Sequence, residues 1–188
     1  SVQPSKGVLE FARAVLAQPD PQLFVEVHGA LSDYHGDPGY ARALRDFAGR
    51  EPRLLLRGPY ARADLARVLA GLDAVAVPSL WNEVHGSTAR EARAAGLQVF
   101  VSDRGGLAEW DSREGVEVLP ALDPAAWRAA LERFAKACRS QGERRAPRPS
   151  SCLRTAHELA LELELHYVDL VREQLGREPR LAFDPGSD

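Results

Sequence analysis

The chain has 188 residues, 45% of them hydrophobic and 27% charged, which is enough for one α/β domain with a real core. Its net charge of −3 gives no indication of a surface that binds nucleic acid. No apolar run is long enough to span a membrane and no signal peptide is visible, so we expect a cytoplasmic protein without a transmembrane segment. The sequence contains no methionine, which favours a piece of a longer or processed protein.

The first part of the chain predicts alternating helices and strands. Residues 1–5 have the character of a ragged strand end, and an amphipathic helix begins at Lys6-Gly7 and ends before Pro19. The predicted elements that follow are a strand at 23–27, a helix at 40–47, a strand at 54–56 and a helix at 64–72. This alternation is typical of a parallel, doubly wound sheet.

Residues 74–106 predict one strand–loop–helix–strand unit. A short apolar strand at 74–77 is broken by Pro78, an alanine-rich helix ends near Gly96, and a second strand covers 99–102. A strand at 116–119 and a helix from Pro124 to about residue 139 complete the predicted fold. We therefore expect residues 1–140 to form a Rossmann-like α/β domain with helices on both faces of a parallel sheet. Its segments 79–87 and 103–106 should lie side by side at one edge.

Two carboxylates flank the predicted start of that helix. Glu83 and Glu91 are separated by seven residues, and Gly86-Ser87 between them leads into the helix. The unpaired N–H groups and the dipole of a helix N-terminus favour an anion, and glycine permits close approach of a phosphate. Carboxylates accept hydrogen bonds strongly, which suits sugar hydroxyls. The segment therefore offers a phosphate site with a carboxylate on each side.

The motifs PSLWNE, ARAAG and VSDRGGLAE, together with the glutamate pair, resemble the donor-binding half of retaining GT-B glycosyltransferases of family 4. The resemblance covers about residues 6–134. It implies a nucleoside diphosphate sugar as donor and an acceptor held by an N-terminal GT-B domain of the same protein. It also implies that the reaction needs no metal or other cofactor. Asp33, His35 and Asp37 are weak support for a metal site, and we interpret their loop as solvated.

By the same resemblance, Glu83 is the catalytic candidate near the donor sugar, Lys6 contacts the diphosphate and Glu91 contacts the ribose. The remaining donor-binding candidates are Gly29, Tyr60, Ser79, His85, Gly86 and Ser87.

Several candidates also have a structural interpretation. Lys6 could be a solvated lysine at a helix start, and Glu91 could close a capping box with Thr88. Tyr60 could stack on a nucleobase or cover the edge of the core. His85 could act as a general base, although a packing or hydrogen-bonding role is the preferred interpretation.

The sequence departs from the family pattern at two places. The family has an arginine five residues before the lysine, where this chain has Ser1, and apolar residues after the glycine, where this chain has Ser87 and Thr88. The alternative function is therefore a degenerate, non-catalytic domain that binds a ligand or a partner protein.

The last part of the chain predicts a linker or exposed loop at 141–152, a helix at 153–175 and a tail at 176–188. The helix carries a second apolar stripe formed by Leu161, Leu165 and Val168. We expect the helix to pack back on its own domain, either in a deep groove there or also against the N-terminal domain. The second stripe favours the N-terminal domain or a dimer, because apolar patches seek partners. A peripheral position at the inner face of the membrane is a further expectation for the full-length protein.

Overall fold

The computed structural model describes residues 2–110 and 115–140. Within them, helices and strands alternate along most of the chain. The helices are α1 (Val8–Leu16), α2 (Gly39–Ala48), α3 (Leu65–Ala70), α4 (Ser87–Ala94) and α5 (Pro124–Ser140). The strands are β1 (Val25–His28), β2 (Leu54–Gly58), β3 (Ala74–Val77), β4 (Gln98–Ser102) and β5 (Val116–Leu119).

The strands of the described segments are parallel and form two hydrogen-bonded groups. β1 pairs with β2, with Val25 opposite Leu54, and β4 lies between β3 and β5, with Val99 opposite both Val75 and Val116. The parallel α/β architecture confirms the predicted fold class. We expected one continuous sheet. In the part of the chain that the structure describes, β1 and β2 form one sheet and β3, β4 and β5 form another.

The predicted strand end at residues 1–5 is wrong in its extent. Val2 forms one isolated parallel bridge to Leu31, and its N–H donates to the carbonyl of Ala30 at 2.9 Å. The chain then enters a 3-10 turn at Pro4–Lys6. Proline has no N–H to donate to a strand ladder, so pairing stops where this turn begins.

Helix α1 contributes to two hydrophobic clusters. Its residues Leu9, Ala12 and Leu16 pack with Val27 and Leu54 of the first strand group. Val15 of the same helix belongs to a second cluster, against which Phe11 also packs. The other buried members of this cluster are Phe100, Leu119, Trp127, Ala130 and Leu131. The apolar face predicted for this helix therefore packs against both strand groups.

The two faces of β4 are covered by different helices. Phe100 points toward α5, where its ring meets Phe134 with the ring centroids 5.7 Å apart. Its neighbours Val99 and Val101 point to the opposite face, on which α4 packs against β3 and β4. Helices therefore lie on both faces of the sheet, as the sequence predicted.

Element boundaries differ from the prediction by a few residues. β1 begins at Val25 rather than at residue 23, and the preceding Phe24 is 55% exposed. α3 begins at Leu65 and ends at Ala70, after a 3-10 turn at Arg62–Asp64. That turn places the side chain of Arg62 against Glu91 of α4.

Arg53 ties the end of α1 to the start of β2. Its guanidinium donates to the carbonyls of Leu16, Gln18 and Asp20 at 2.6, 2.8 and 2.9 Å. It also forms an ion pair with Glu51 at 2.8 Å, and the hydrogen bonds from Arg53 hold the pKa of the Glu51 carboxyl below its usual value.

We expect Arg53→Ala to lower the free energy of unfolding by about 2–4 kcal/mol, because three carbonyls lose their side-chain donor and the Glu51 carboxylate keeps, among the described residues, only the backbone N–H of residue 53. Chemical denaturation measures the change. Arg50→Ala is the control, because the Arg50 side chain, in the turn after α2, donates to a single carbonyl of the described residues, that of Asp46. The contribution of Glu51 should be complete at neutral pH and disappear as the pH falls through its lowered pKa. Equal stability of the two variants would contradict this role.

The loop at residues 33–37 forms a tight turn in which the backbone groups of Tyr34 and Asp37 bond reciprocally at 3.0 Å. Asp37 Oδ1 accepts the N–H of Gly39 at 2.7 Å, at the start of α2. Residues 2–110 and 115–140 contain no group of three or more potential metal-ligating side chains.

No described helix is long and apolar enough to cross a membrane. The predicted linker at 141–152, helix at 153–175 and tail at 176–188 lie outside the described residues.

Candidate functional site

Three segments of the chain meet at the carboxyl edge of β3 and β4. The carbonyl of Ser5 accepts the N–H groups of Leu80 and Trp81, at 2.8 and 3.2 Å, in the loop between β3 and α4. Farther along this loop, Glu83 forms a parallel bridge with Gly105, which follows β4. The predicted neighbourhood of segments 79–87 and 103–106 is therefore present, and the turn before α1 joins it.

Two glycines make this close approach of backbone segments possible. Gly7 has a φ of +61°, and a Cβ added there would lie 2.2 Å from the carbonyl oxygen of Pro78. Gly105 has a φ of +56°, and its added Cβ would lie 2.4 Å from the carbonyl oxygen of Glu83. A side chain at either position would force the loop away. These glycines therefore determine where Glu83 lies.

The Glu83 carboxylate is held by two donors on one oxygen. Lys6 Nζ lies 2.5 Å from Glu83 Oε1, and Ser79 Oγ donates to the same atom at 2.7 Å. Ser79 is fully buried, and its carbonyl accepts the hydroxyl of buried Ser102 at 2.6 Å. Within the described residues, the second oxygen, Oε2, has no partner. The carboxylate is thus fixed in direction while one oxygen remains available to a ligand.

The electrostatic surroundings keep Glu83 ionised. Burial alone raises the pKa of its carboxyl, but the hydrogen bonds from Lys6 and Ser79 and the charge of Lys6 outweigh burial. The pKa of Glu83 therefore lies below its usual value, and the group carries its negative charge at neutral pH.

The start of helix α4 lines a cleft next to this carboxylate. Gly86 is the N-cap, with a left-handed φ of 57°, and no side chain caps the helix. The cleft has a volume of about 530 Å³. Five predicted site residues line it, namely Lys6, Glu83, His85, Gly86 and Ser87. The N-terminus of α4, with buried Gly86 and exposed Ser87, therefore lies beside one carboxylate and one ammonium group.

Glu91 does not form the capping box that was its alternative role. The helix begins at Ser87, so Thr88 lies inside the first turn rather than at the N-cap. The Glu91 carboxylate instead pairs with Arg62, whose Nη1 lies 2.6 Å from Glu91 Oε1. Glu91 is not among the residues that line the cleft around Lys6.

Gly29 and Tyr60 lie at the carboxyl ends of β1 and β2, outside that cleft lining. The N–H of Gly29 donates to the carbonyl of Gly58 at 2.8 Å. The Tyr60 side chain is exposed, and its ring meets His28 edge to face with centroids 5.9 Å apart. The structure therefore brings five candidates around one cleft, attaches Ser79 to them through Glu83, and leaves Gly29, Tyr60 and Glu91 nearer the end of β2.

Sequence reasoning missed two side chains that support the site. Ser102 belongs to the VSDRGG motif, but nothing in the motif indicates that its hydroxyl holds the backbone of Ser79. Arg62 is an exposed arginine in a turn, and no spacing in the sequence connects it with Glu91.

The family model described as glycosyl transferases group 1 matches residues 2–137 of the chain. The chain belongs to this family. It is 34% identical over 136 residues to a D-inositol 3-phosphate glycosyltransferase of Corynebacterium glutamicum, covering 69% of this chain and 32% of that relative. The group 1 chain thus spans about a third of the length of the curated relatives it matches.

Solved structures share the fold of this group 1 chain. A sucrose-phosphate synthase from Thermosynechococcus elongatus superimposes with a TM-score of 0.70 at 23% identity, covering 92% of this chain and 44% of that one. Anabaena HepE in complex with UDP-glucose gives a TM-score of 0.61 at 22% identity, covering 78% and 39%. These similarities confirm the predicted GT-B-type, Rossmann-like fold.

Proposed function

We propose that this chain is the donor-binding half of a retaining family 4 glycosyltransferase and that it binds a nucleoside diphosphate sugar. The observation that carries the proposal is the grouping of Lys6, Glu83 and the N-terminus of α4 around one cleft. A cation and free N–H groups suit a diphosphate, while the neighbouring carboxylate suits sugar hydroxyls.

Lys6 and the first N–H groups of α4 take the diphosphate in this proposal. The Lys6 ammonium has three donors, so it can keep one hydrogen bond to Glu83 and direct the others to phosphate oxygens. Negative charge grows on the diphosphate as the bond to the sugar breaks. Donors fixed at that position stabilise the departing group most in the transition state.

Glu83 orients the donor sugar. Lys6 and Ser79 anchor Oε1, which leaves Oε2 to accept a hydrogen bond from a sugar hydroxyl. Because the carboxylate is held before the sugar arrives, little further ordering is needed in the reactive complex. His85 and Ser87 line the same cleft and complete its polar surface.

Glu91 binds the ribose hydroxyls, and Gly29 and Tyr60 border the nucleoside near the end of β2. No metal is needed in this proposal, because Lys6 and the α4 N-terminus offset the charge of the diphosphate. The acceptor site lies in an N-terminal GT-B domain of the same protein, and the enzyme acts in the cytoplasm or peripherally at the inner membrane face. Closure of both lobes around the reactants excludes water.

Glu91→Gln tests the ribose role. We expect the dissociation constant for the best-bound of UDP, GDP and ADP to rise about 10- to 100-fold, because a charge-assisted hydrogen bond is lost. Calorimetric titration of the chain measures this change. Glu132→Gln, which alters an exposed carboxylate on α5, is the control. Unchanged affinity in Glu91→Gln would remove Glu91 from the nucleotide site.

A non-catalytic binding domain is the second candidate, favoured by the direct pairing of Lys6 with Glu83. In that case the lysine serves to neutralise a partly buried carboxylate, and no cation is reserved for phosphate. The same titration separates the two functions. Binding of a nucleoside diphosphate supports the donor-site proposal, and no binding of UDP, GDP or ADP supports the second candidate.

A further inference from the structure

The turn after β2 contacts α4 through the side chain of Arg62. This residue opens the 3-10 turn Arg62–Asp64, and its Nη1 reaches Oε1 of Glu91 at 2.6 Å across 29 residues of sequence. The Arg62 side chain is 84% exposed, whereas that of Glu91 is only 24% exposed. The contact thus joins a solvent-facing cation to a carboxylate that is largely enclosed.

The Arg62–Glu91 ion pair is expected to contribute little to the stability of the fold. A pair with so exposed an arginine gains little Coulomb energy in water and must order a long side chain. The ion pair does fix the orientation of the Glu91 carboxylate. It occupies Oε1 and leaves Oε2 without a partner among the described residues. Glu83 shows the same pattern, with its donors on Oε1 alone.

We propose that Arg62 is a positioning residue of the nucleotide site, which it serves by holding Glu91 so that Oε2 accepts a ribose hydroxyl. This inference rests on the proposed ribose role of Glu91. A free glutamate has three side-chain torsions to order when a ligand binds. A glutamate already held by Arg62 loses less conformational freedom, so the nucleotide binds more tightly.

Arg67 provides a matched control for the charge of Arg62. It lies in the neighbouring helix α3, its side chain is 77% exposed, and it pairs with Asp64 at 2.9 Å. Arg62→Ala and Arg67→Ala therefore remove the same charge from similarly exposed positions in one region of the chain. Only the first of them releases Glu91.

The experiment is a calorimetric titration of the chain with UDP, GDP and ADP. We expect Arg62→Ala to raise the dissociation constant of the best-bound nucleotide about tenfold, and Arg67→Ala to leave it within twofold. Arg62→Lys should recover part of the loss, because a lysine can supply the single donor that Oε1 requires. Thermal unfolding should be the same for both alanine variants, since each loses one exposed ion pair.

Deoxy nucleotides identify the group that Arg62 acts through. Removing the ribose 2′- or 3′-hydroxyl should weaken binding to the unaltered chain and have a smaller effect in Arg62→Ala. Three results would each overturn the positioning role. They are an unaltered nucleotide affinity in Arg62→Ala, an equal loss of affinity in the two alanine variants, and a loss of affinity on removal of a ribose hydroxyl that is as large in Arg62→Ala as in the unaltered chain. If the unaltered chain binds none of the three nucleotides, the proposed function itself fails, which is a distinct result.

Discussion

Glu83→Gln should lower kcat of the proposed glycosyl transfer by the full-length protein about 100- to 1,000-fold while leaving the affinity for the nucleoside diphosphate within about threefold. The substitution keeps the size of the side chain and an oxygen for Ser79, but removes the charge that we propose lies beside the donor sugar. It also releases Lys6 from its ion pair, so the diphosphate loses no cation. Steady-state transfer kinetics and calorimetry of the same variant measure the two effects separately.

Glu132→Gln on α5 is the control for this experiment, because that glutamate is exposed and distant in sequence from the cleft. It should change neither kcat nor affinity. Transfer by Glu83→Gln at the unaltered rate would remove Glu83 from the reaction. An equal loss of turnover and of diphosphate affinity would instead indicate that Glu83 maintains the shape of the whole cleft.

Lys6→Ala should raise the dissociation constant for the nucleoside diphosphate about 10- to 100-fold, because a charged donor to phosphate is lost. It should also lower the free energy of unfolding by about 1–3 kcal/mol, since Glu83 is left partly buried without its cation. Calorimetry and chemical denaturation measure these changes. The only other lysine of the chain, exposed Lys136 on α5, gives the matched control Lys136→Ala.

The stability difference between Lys6→Ala and the unaltered chain should depend on pH. The pKa of Glu83 is lowered in the folded protein, so its contribution is complete above the pKa of the unfolded chain and is lost as the pH falls through the lowered value. The two proteins should therefore approach each other in stability in acid. Equal stability at neutral pH, or a gap that widens in acid, would show that the Lys6–Glu83 pair does not stabilise the fold.

Local signals were sufficient to predict the elements that carry the site. Pro78 ends β3, Gly96 follows α4, and Pro124 starts α5, all close to the predicted positions. Each of these residues acts on its own backbone, through a missing N–H or a left-handed φ. Such effects depend on nearby sequence alone, which is why the strand–loop–helix–strand unit could be predicted well.

Partnerships between side chains could not be predicted in the same way. Lys6 and Glu83 are 77 residues apart, and Arg62 and Glu91 are 29 apart. Each pair forms only after separate elements have packed together. From the sequence we expected Lys6 and Glu83 to contact different parts of a ligand. In the structure the two side chains form an ion pair with each other.

The capping-box alternative for Glu91 was wrong for a related reason. The pattern from Thr88 to Glu91 fits a capping box, but it requires Thr88 to be the N-cap. Gly86 takes that place, with a left-handed φ, so α4 begins earlier than the box requires. Glu91 is thereby left to pair with Arg62 and, in our proposal, with ribose.

Amide NMR of the nitrogen-labelled chain, titrated with UDP, GDP and ADP, tests the central claim most directly. With at least one nucleotide, we expect the largest shift changes at Lys6, Gly86 and Ser87, because the diphosphate should bind between the lysine and the first N–H groups of α4. Unchanged spectra with all three nucleotides, or changes confined to α5, would contradict a donor site in this cleft.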